Sequence, residues 1–141
     1  MAEARQTLLI AGSPEGIRRA VDDFDAFTAA IRLPAEATWA FQVALDEVLA
    51  NIVHHGYEER DQQGEIEIHF RLRDDVLELT IVDEAAPFDP LTAAEPDTTR
   101  PAEERPIGGL GIFLVRKLMD TVEYERREGR NRLVCRKRVA D

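Results

Sequence analysis

The hydrophobic residues of this chain keep a helical period through its early part and then turn to strict alternation, a pattern that calls for helices packed on a sheet. Ile17, Ala20, Val21, Phe24, Phe27 and Ile31 recur at helical spacing, with Arg18, Arg19, Asp22, Asp23 and Asp25 on the other face. Leu33-Pro34 ends that helix. A second and broader stripe follows from Ala35, through Ala37, Ala40, Phe41, Ala44, Leu45, Val48, Leu49 and Ile52, until Gly56. Then Ile66, Ile68, Phe70 and Leu72 alternate with Glu65, Glu67, His69 and Arg71, which reads as a half-buried strand. Asp74-Asp75 supplies a turn, and Leu77, Leu79 and Ile81 continue the alternation in a strand that should pair with the first as a hairpin.

The flanks complete the order. Thr7 to Ala11 is a short apolar run closed by Gly12-Ser13-Pro14, a strand followed by a helix start with Pro14 in its first turn. Pro87, Pro90, Pro96, Pro101 and Pro106 punctuate an acidic stretch without hydrophobic period, so a long loop or lid is expected over about 87–107. Gly108-Gly109-Leu110-Gly111 leads into Ile112, Val115, Leu118 and Met119 at helical spacing. Strands around Val122 to Arg126 and Leu133 to Val139 flank a turn at Gly129-Arg130-Asn131. Strand, helix, helix, hairpin, loop, helix, hairpin predicts an α+β two-layer sandwich: a mostly antiparallel mixed sheet with helices on one face, in one domain over residues 1–141.

Charge narrows the partners. A net charge of −10 argues against direct nucleic-acid binding, which relies on lysine and arginine to neutralise phosphates. The basic stretch Arg126, Arg127, Arg130, Arg132, Arg136, Lys137 and Arg138 reads as strand surface. Cys135 is the only cysteine, so an intramolecular disulfide is impossible and a reducing setting is the natural one. The opening MAEARQTLLIAG lacks the basic flank and apolar core of a signal peptide, and no apolar run reaches membrane-spanning length. A cytoplasmic chain without membrane contact is the expectation.

Three places carry chemistry. Glu47 and Asn51 lie four apart on the second helix, so a carboxylate and an amide oxygen point the same way, able to hold a hydrated Mg²⁺ or orient a nucleophile, or to be solvated helix polars. Asp83 shares parity with Leu77, Leu79 and Ile81, which aims it at the buried side, where it needs a donor: a purine amino group, an arginine or loop backbone. Gly108, Gly109 and Gly111 before a helix allow backbone N–H groups to approach an anion, or form an ordinary tight turn. They fit neither the Rossmann nor the P-loop arrangement. His54 and His55 have no accompanying ligand cluster and read as helix-end residues, Arg100 and Arg105 as loop charges, and Trp39 as a packing or interface residue.

Taken together these strings resemble a known family. ALDEVLANIVHHGY resembles the N box of the GHKL ATPases, VDEAAPFDP their first glycine box, and GGLGIFLVRKLMD their second, in matching order and spacing. The FDP, the HHGY ending and the late GRNRL are most similar to the RsbW-type anti-sigma serine kinases, over about Thr7 to Val139. The resemblance implies the Bergerat ATP-binding fold with ATP and Mg²⁺ as cofactors. It implies that Asn51 coordinates the magnesium, that Glu47 is the general base and that Asp83 bonds the adenine amino group. Ala85, Phe88, Gly108, Gly109, Leu110 and Gly111 would complete the nucleotide-binding set. The implied activity is transfer of a phosphoryl group to a serine of an antagonist protein, with a sigma factor as second partner and a homodimer as the assembly. The other reading is a non-catalytic module that sequesters a regulatory protein.

One residue departs from the family pattern. The first box normally has glycine two residues after the aspartate, where this chain has Ala85. If the position requires a positive φ, alanine costs about 1–2 kcal/mol. If glycine only clears space for adenine, the methyl narrows the pocket.

Overall fold

The computed structural model describes residues 2–58, 62–87 and 109–140. In chain order the elements are β1 (Ala4–Ala11), α1 (Pro14–Ile31), α2 (Ala35–Asn51), a π-helical turn (Ile52–Tyr57), β2 (Glu65–Arg73), β3 (Val76–Asp83), α3 (Gly109–Leu118), β4 (Thr121–Arg127) and β5 (Arg130–Arg138). The strands form one sheet in the order β1-β2-β3-β5-β4. Every pairing among the described residues is antiparallel, so the expected mostly antiparallel sheet is antiparallel throughout.

Strand alternation decides which face is covered. Leu8, Ile10, Ile66, Ile68, Phe70, Leu72, Leu77, Leu79, Ile81, Leu133 and Cys135 are buried toward the helical layer. There they meet Phe24 and Phe27 of α1 and Phe41, Leu45 and Leu49 of α2. The Phe70 ring lies 5.0 Å from Phe24 and 5.5 Å from Phe27, centroid to centroid, which locks α1 onto β2. Burial pushes the Cys135 thiol up to about 12, so this lone cysteine is an inert core residue.

The local punctuation follows the chemistry of the turns. Ser13 caps α1, its Oγ accepting from the Gly16 amide at 3.2 Å, with Pro14 at the first helical position. Asp74 and Asp75 both take positive φ, 52° and 63°, as the central pair of a type I′ hairpin must. Glu128 (54°) and Gly129 (78°) do the same between β4 and β5. That two-residue turn corrects the expected Gly129-Arg130-Asn131 turn: Arg130 and Asn131 already belong to β5. The second helix also differs from expectation. Its stripe runs on past Asn51, but the backbone widens into a π turn that buries Val53 and Tyr57. Among the described residues no helix is long and apolar enough to cross a membrane.

Candidate functional site

The site assembles where α2, the end of β3, the start of α3 and the β4–β5 hairpin meet. Asp83 closes β3 on the helical side of the sheet with 4% of its surface exposed. Its Oδ1 accepts two bonds, from the Ala85 amide at 2.9 Å and from the Asn131 amide nitrogen at 2.9 Å. Burial drives the Asp83 carboxyl above its ordinary value, opposed by these two hydrogen bonds and by the charge of Arg126. The bland alternatives for a buried carboxylate are therefore partly realised here, by loop backbone and by Asn131, and both are concentrated on one oxygen.

The residues around Asp83 form a clamp on the turn that follows it. Asn131 Nδ2 also reaches the carbonyls of Ala85 (3.3 Å) and Ala86 (3.1 Å). Its Oδ1 accepts from the Tyr124 hydroxyl at 2.5 Å and from Arg126 at 3.2 Å. Arg126 in turn donates to the Ala85 carbonyl at 2.7 Å. From the other side the Tyr57 hydroxyl donates to the Glu65 carbonyl at 3.1 Å and accepts from the Glu84 amide at 3.3 Å. Burial raises the Tyr57 phenol, which keeps that donor proton in place. The Tyr57 ring fills the space beside Gly12 and Gly64, where a side chain would collide with it.

Sequence reasoning missed Asn131, Tyr124, Arg126 and Tyr57 as parts of this site. For Asn131 a signal existed: it shares inward parity with Leu133 and Cys135 of the same strand. Arg126, expected as strand surface, instead turns to the Ala85 carbonyl.

Glu47 and Asn51 sit one turn apart on α2, both partly exposed. Gly111 of α3 lies directly against Glu47: a methyl there would overlap the Glu47 carboxylate. A side chain at this position would push the flexible Glu47 carboxylate aside, so the glycine lets the start of α3 approach the proposed base in its present position. Gly109 and Leu110 are the first residues of α3. Phe88, Gly108, Arg100 and Arg105 lie outside the described residues, as does the expected lid over 87–107 apart from Pro87.

Ala85 does not have a positive φ, so the conformational penalty does not arise. Its side chain is 3% exposed and packs on the π turn, where a Cβ on Gly56 would come 2.8 Å from the Ala85 Cβ. Ala85 thus fills space that Gly56 vacates. His54 pairs with Glu58 at 3.4 Å and stacks edge-on with His55, in keeping with a helix-end role. Trp39 is half exposed and is not a core residue.

The three sequence boxes therefore touch through α2 and the π turn that continues it: Glu47 meets Gly111, and Gly56 meets Ala85. Comparison with known proteins agrees. The family model described as histidine kinase-like ATPase domain matches residues 10–137. The serine-protein kinases RsbW of Bacillus cereus (strain ZK / E33L) and Bacillus thuringiensis subsp. konkukian (strain 97-27) are each 36% identical over 92 residues, which is 62% of this chain and 56% of theirs. The chain thus spans little more than half the length of these relatives. The crystal structure of the RsbU and RsbW domains of Rv1364c from Mycobacterium tuberculosis superimposes with a TM-score of 0.70 over 98% of this chain and 33% of that one, at 14% identity, a likeness of fold. The chain belongs to the histidine kinase-like ATPase domain family.

Proposed function

We propose that this chain is an ATP-dependent protein serine kinase of the RsbW type, which phosphorylates a serine of an antagonist protein and also binds a sigma factor. The observation that carries the reading is the approach of Gly111 to Glu47, one helical turn from Asn51, together with a buried Asp83 whose protein bonds both fall on Oδ1. Similarity to serine-protein kinases named RsbW supports the substrate class.

The residues present fit a purine nucleotide. Asp83 has Oδ2 available as an acceptor for an exocyclic amino group, while Asn131 and the Ala85 amide hold the carboxylate through Oδ1. Asn51 contributes an amide oxygen for a hydrated Mg²⁺. Among the described residues no three His, Cys, Asp or Glu gather into a metal cage, and a Mg²⁺ that keeps most of its waters would need none. Bound ATP supplies the transferable phosphoryl group. Glu47 would accept the proton of the incoming seryl hydroxyl, and Gly111 leaves room for its carboxylate at the start of α3. A cytoplasmic setting and a homodimer belong to the same proposal.

The second reading, a binder without catalysis, rests on Ala85. Its packing against Gly56 with no positive φ weakens that argument, because the alanine is accommodated by a neighbour. Incubation with γ-labelled ATP and the antagonist protein tests the choice. A kinase transfers label to a serine, and Glu47→Ala abolishes transfer while retaining antagonist binding. Binding with no transfer by the unsubstituted protein contradicts the kinase reading.

A further inference from the structure

We propose a second binding site, for a small polyvalent oxyanion, on the helix-free face of the sheet. A cavity of about 260 Å³ opens there, lined by Arg5, Thr7, His69, Arg71, Thr80 and Arg132 among others. It lies across the sheet from Asp83 and does not depend on the nucleotide reading.

The argument is one of unbalanced charge. The register places Arg5 directly opposite Arg71, and like charges in that position repel. Glu78 stands opposite Arg71 on the other side, but its carboxylate is held by Arg136 at 2.8 Å. Neighbouring arginines on this face are matched: Arg130 pairs with Glu67 and Glu84, and Arg136 with Glu78 and Glu123. Arg5, Arg71 and Arg132 have no ion pair among the described residues. Arg71 Nε is moreover the one buried side-chain nitrogen or oxygen there that lacks a hydrogen-bond partner.

An unpaired donor on a charged group shielded from water is costly, and proteins rarely retain one without a use. Guanidinium groups present planar paired donors that suit carboxylate or phosphate oxygens. The hydroxyls of Thr7 and Thr80 and the His69 ring border the same cavity, and Thr7 already orients His69 through a 3.1 Å contact with Nδ1. Three cations around a cavity of this size, in a chain of net charge −10, describe a recess for one compact anion with two or more charges.

Calorimetric titration of the full chain with pyrophosphate and, separately, with citrate tests this, using Arg71→Gln, Arg132→Gln and Asn51→Ala alongside. Thermal melts verify folding, and the His69 ring resonances provide a second readout on the unsubstituted protein. The site predicts saturable binding of one anion per chain, moving the His69 signals. Affinity falls about tenfold or more in each arginine variant and is unchanged in Asn51→Ala. Preference for pyrophosphate or citrate tells a phosphate ligand from a carboxylate one. Absence of saturable binding overturns the proposal. So does binding lost only in Asn51→Ala, which assigns the anion to the nucleotide site. A dimer broken by the arginine variants also overturns it, since a second copy would then supply the missing acceptors.

Discussion

Asp83 is where function and stability pull apart. Because burial raises its folded carboxyl above the ordinary 3.8, the stability it contributes is full below that value and is lost as pH rises through the raised one. At neutral pH the ionised group therefore costs the fold something. Asp83→Asn retains an oxygen for the Ala85 and Asn131 donors, so its thermal midpoint at pH 7 should match or exceed that of the unsubstituted protein. Relative to the variant, the unsubstituted protein should lose stability as pH climbs from about 4, which paired melts across pH would show. The same change puts an NH₂ where Oδ2 stood, donor against donor, and should lower ATP affinity at least about tenfold. Gly111 makes a similar point about position. Alanine there favours the helix intrinsically by about 1 kcal/mol, yet it collides with Glu47. Gly111→Ala should lower the rate of phosphoryl transfer from γ-labelled ATP while antagonist binding is retained, because the displaced group is the proposed base.

Between elements, the joints are the π turn against the end of β3 and the β4–β5 hairpin against the same turn. Gly56→Ala should destabilise by about 1–3 kcal/mol through overlap with Ala85, and Ala85→Gly should relieve most of it; denaturant midpoints of the two singles and the double measure the coupling. Asn131→Ala leaves the Asp83 carboxylate and the Ala86 carbonyl short of a donor, which should cost about 1–3 kcal/mol in the same assay and also weaken ATP binding. These joints mark where sequence reading stopped. Hydrophobic period alone placed α1, α2, β2 and β3, because Phe24, Phe41, Phe70 and Leu79 must all face one core. The π turn left no trace in that period, since Val53 and Tyr57 remain apolar or aromatic in either winding. Glu128-Gly129 makes the second hairpin turn, whereas Gly129-Arg130-Asn131 looked the better turn by composition, so the clamp on Asp83 stayed hidden.

At the scale of the molecule, Glu47, Asn51, Asp83 and the glycines at the start of α3 were readable as candidates, because their residue types and order are local properties. That Glu47 meets Gly111 was not, since one sequence does not report contacts between residues so far apart in the chain. The sheet then divides the protein: a helical face with the proposed nucleotide site and an open face carrying three arginines without ion pairs among the described residues. The central claim is that the helical face holds ATP through Asp83 and Asn51. Calorimetric titration with ATP, with and without Mg²⁺, on the unsubstituted chain and on Asp83→Asn tests it most directly. The account predicts one magnesium-dependent site per chain that disappears in the variant. No detectable binding at millimolar ATP, or binding that Asp83→Asn leaves intact, would contradict it.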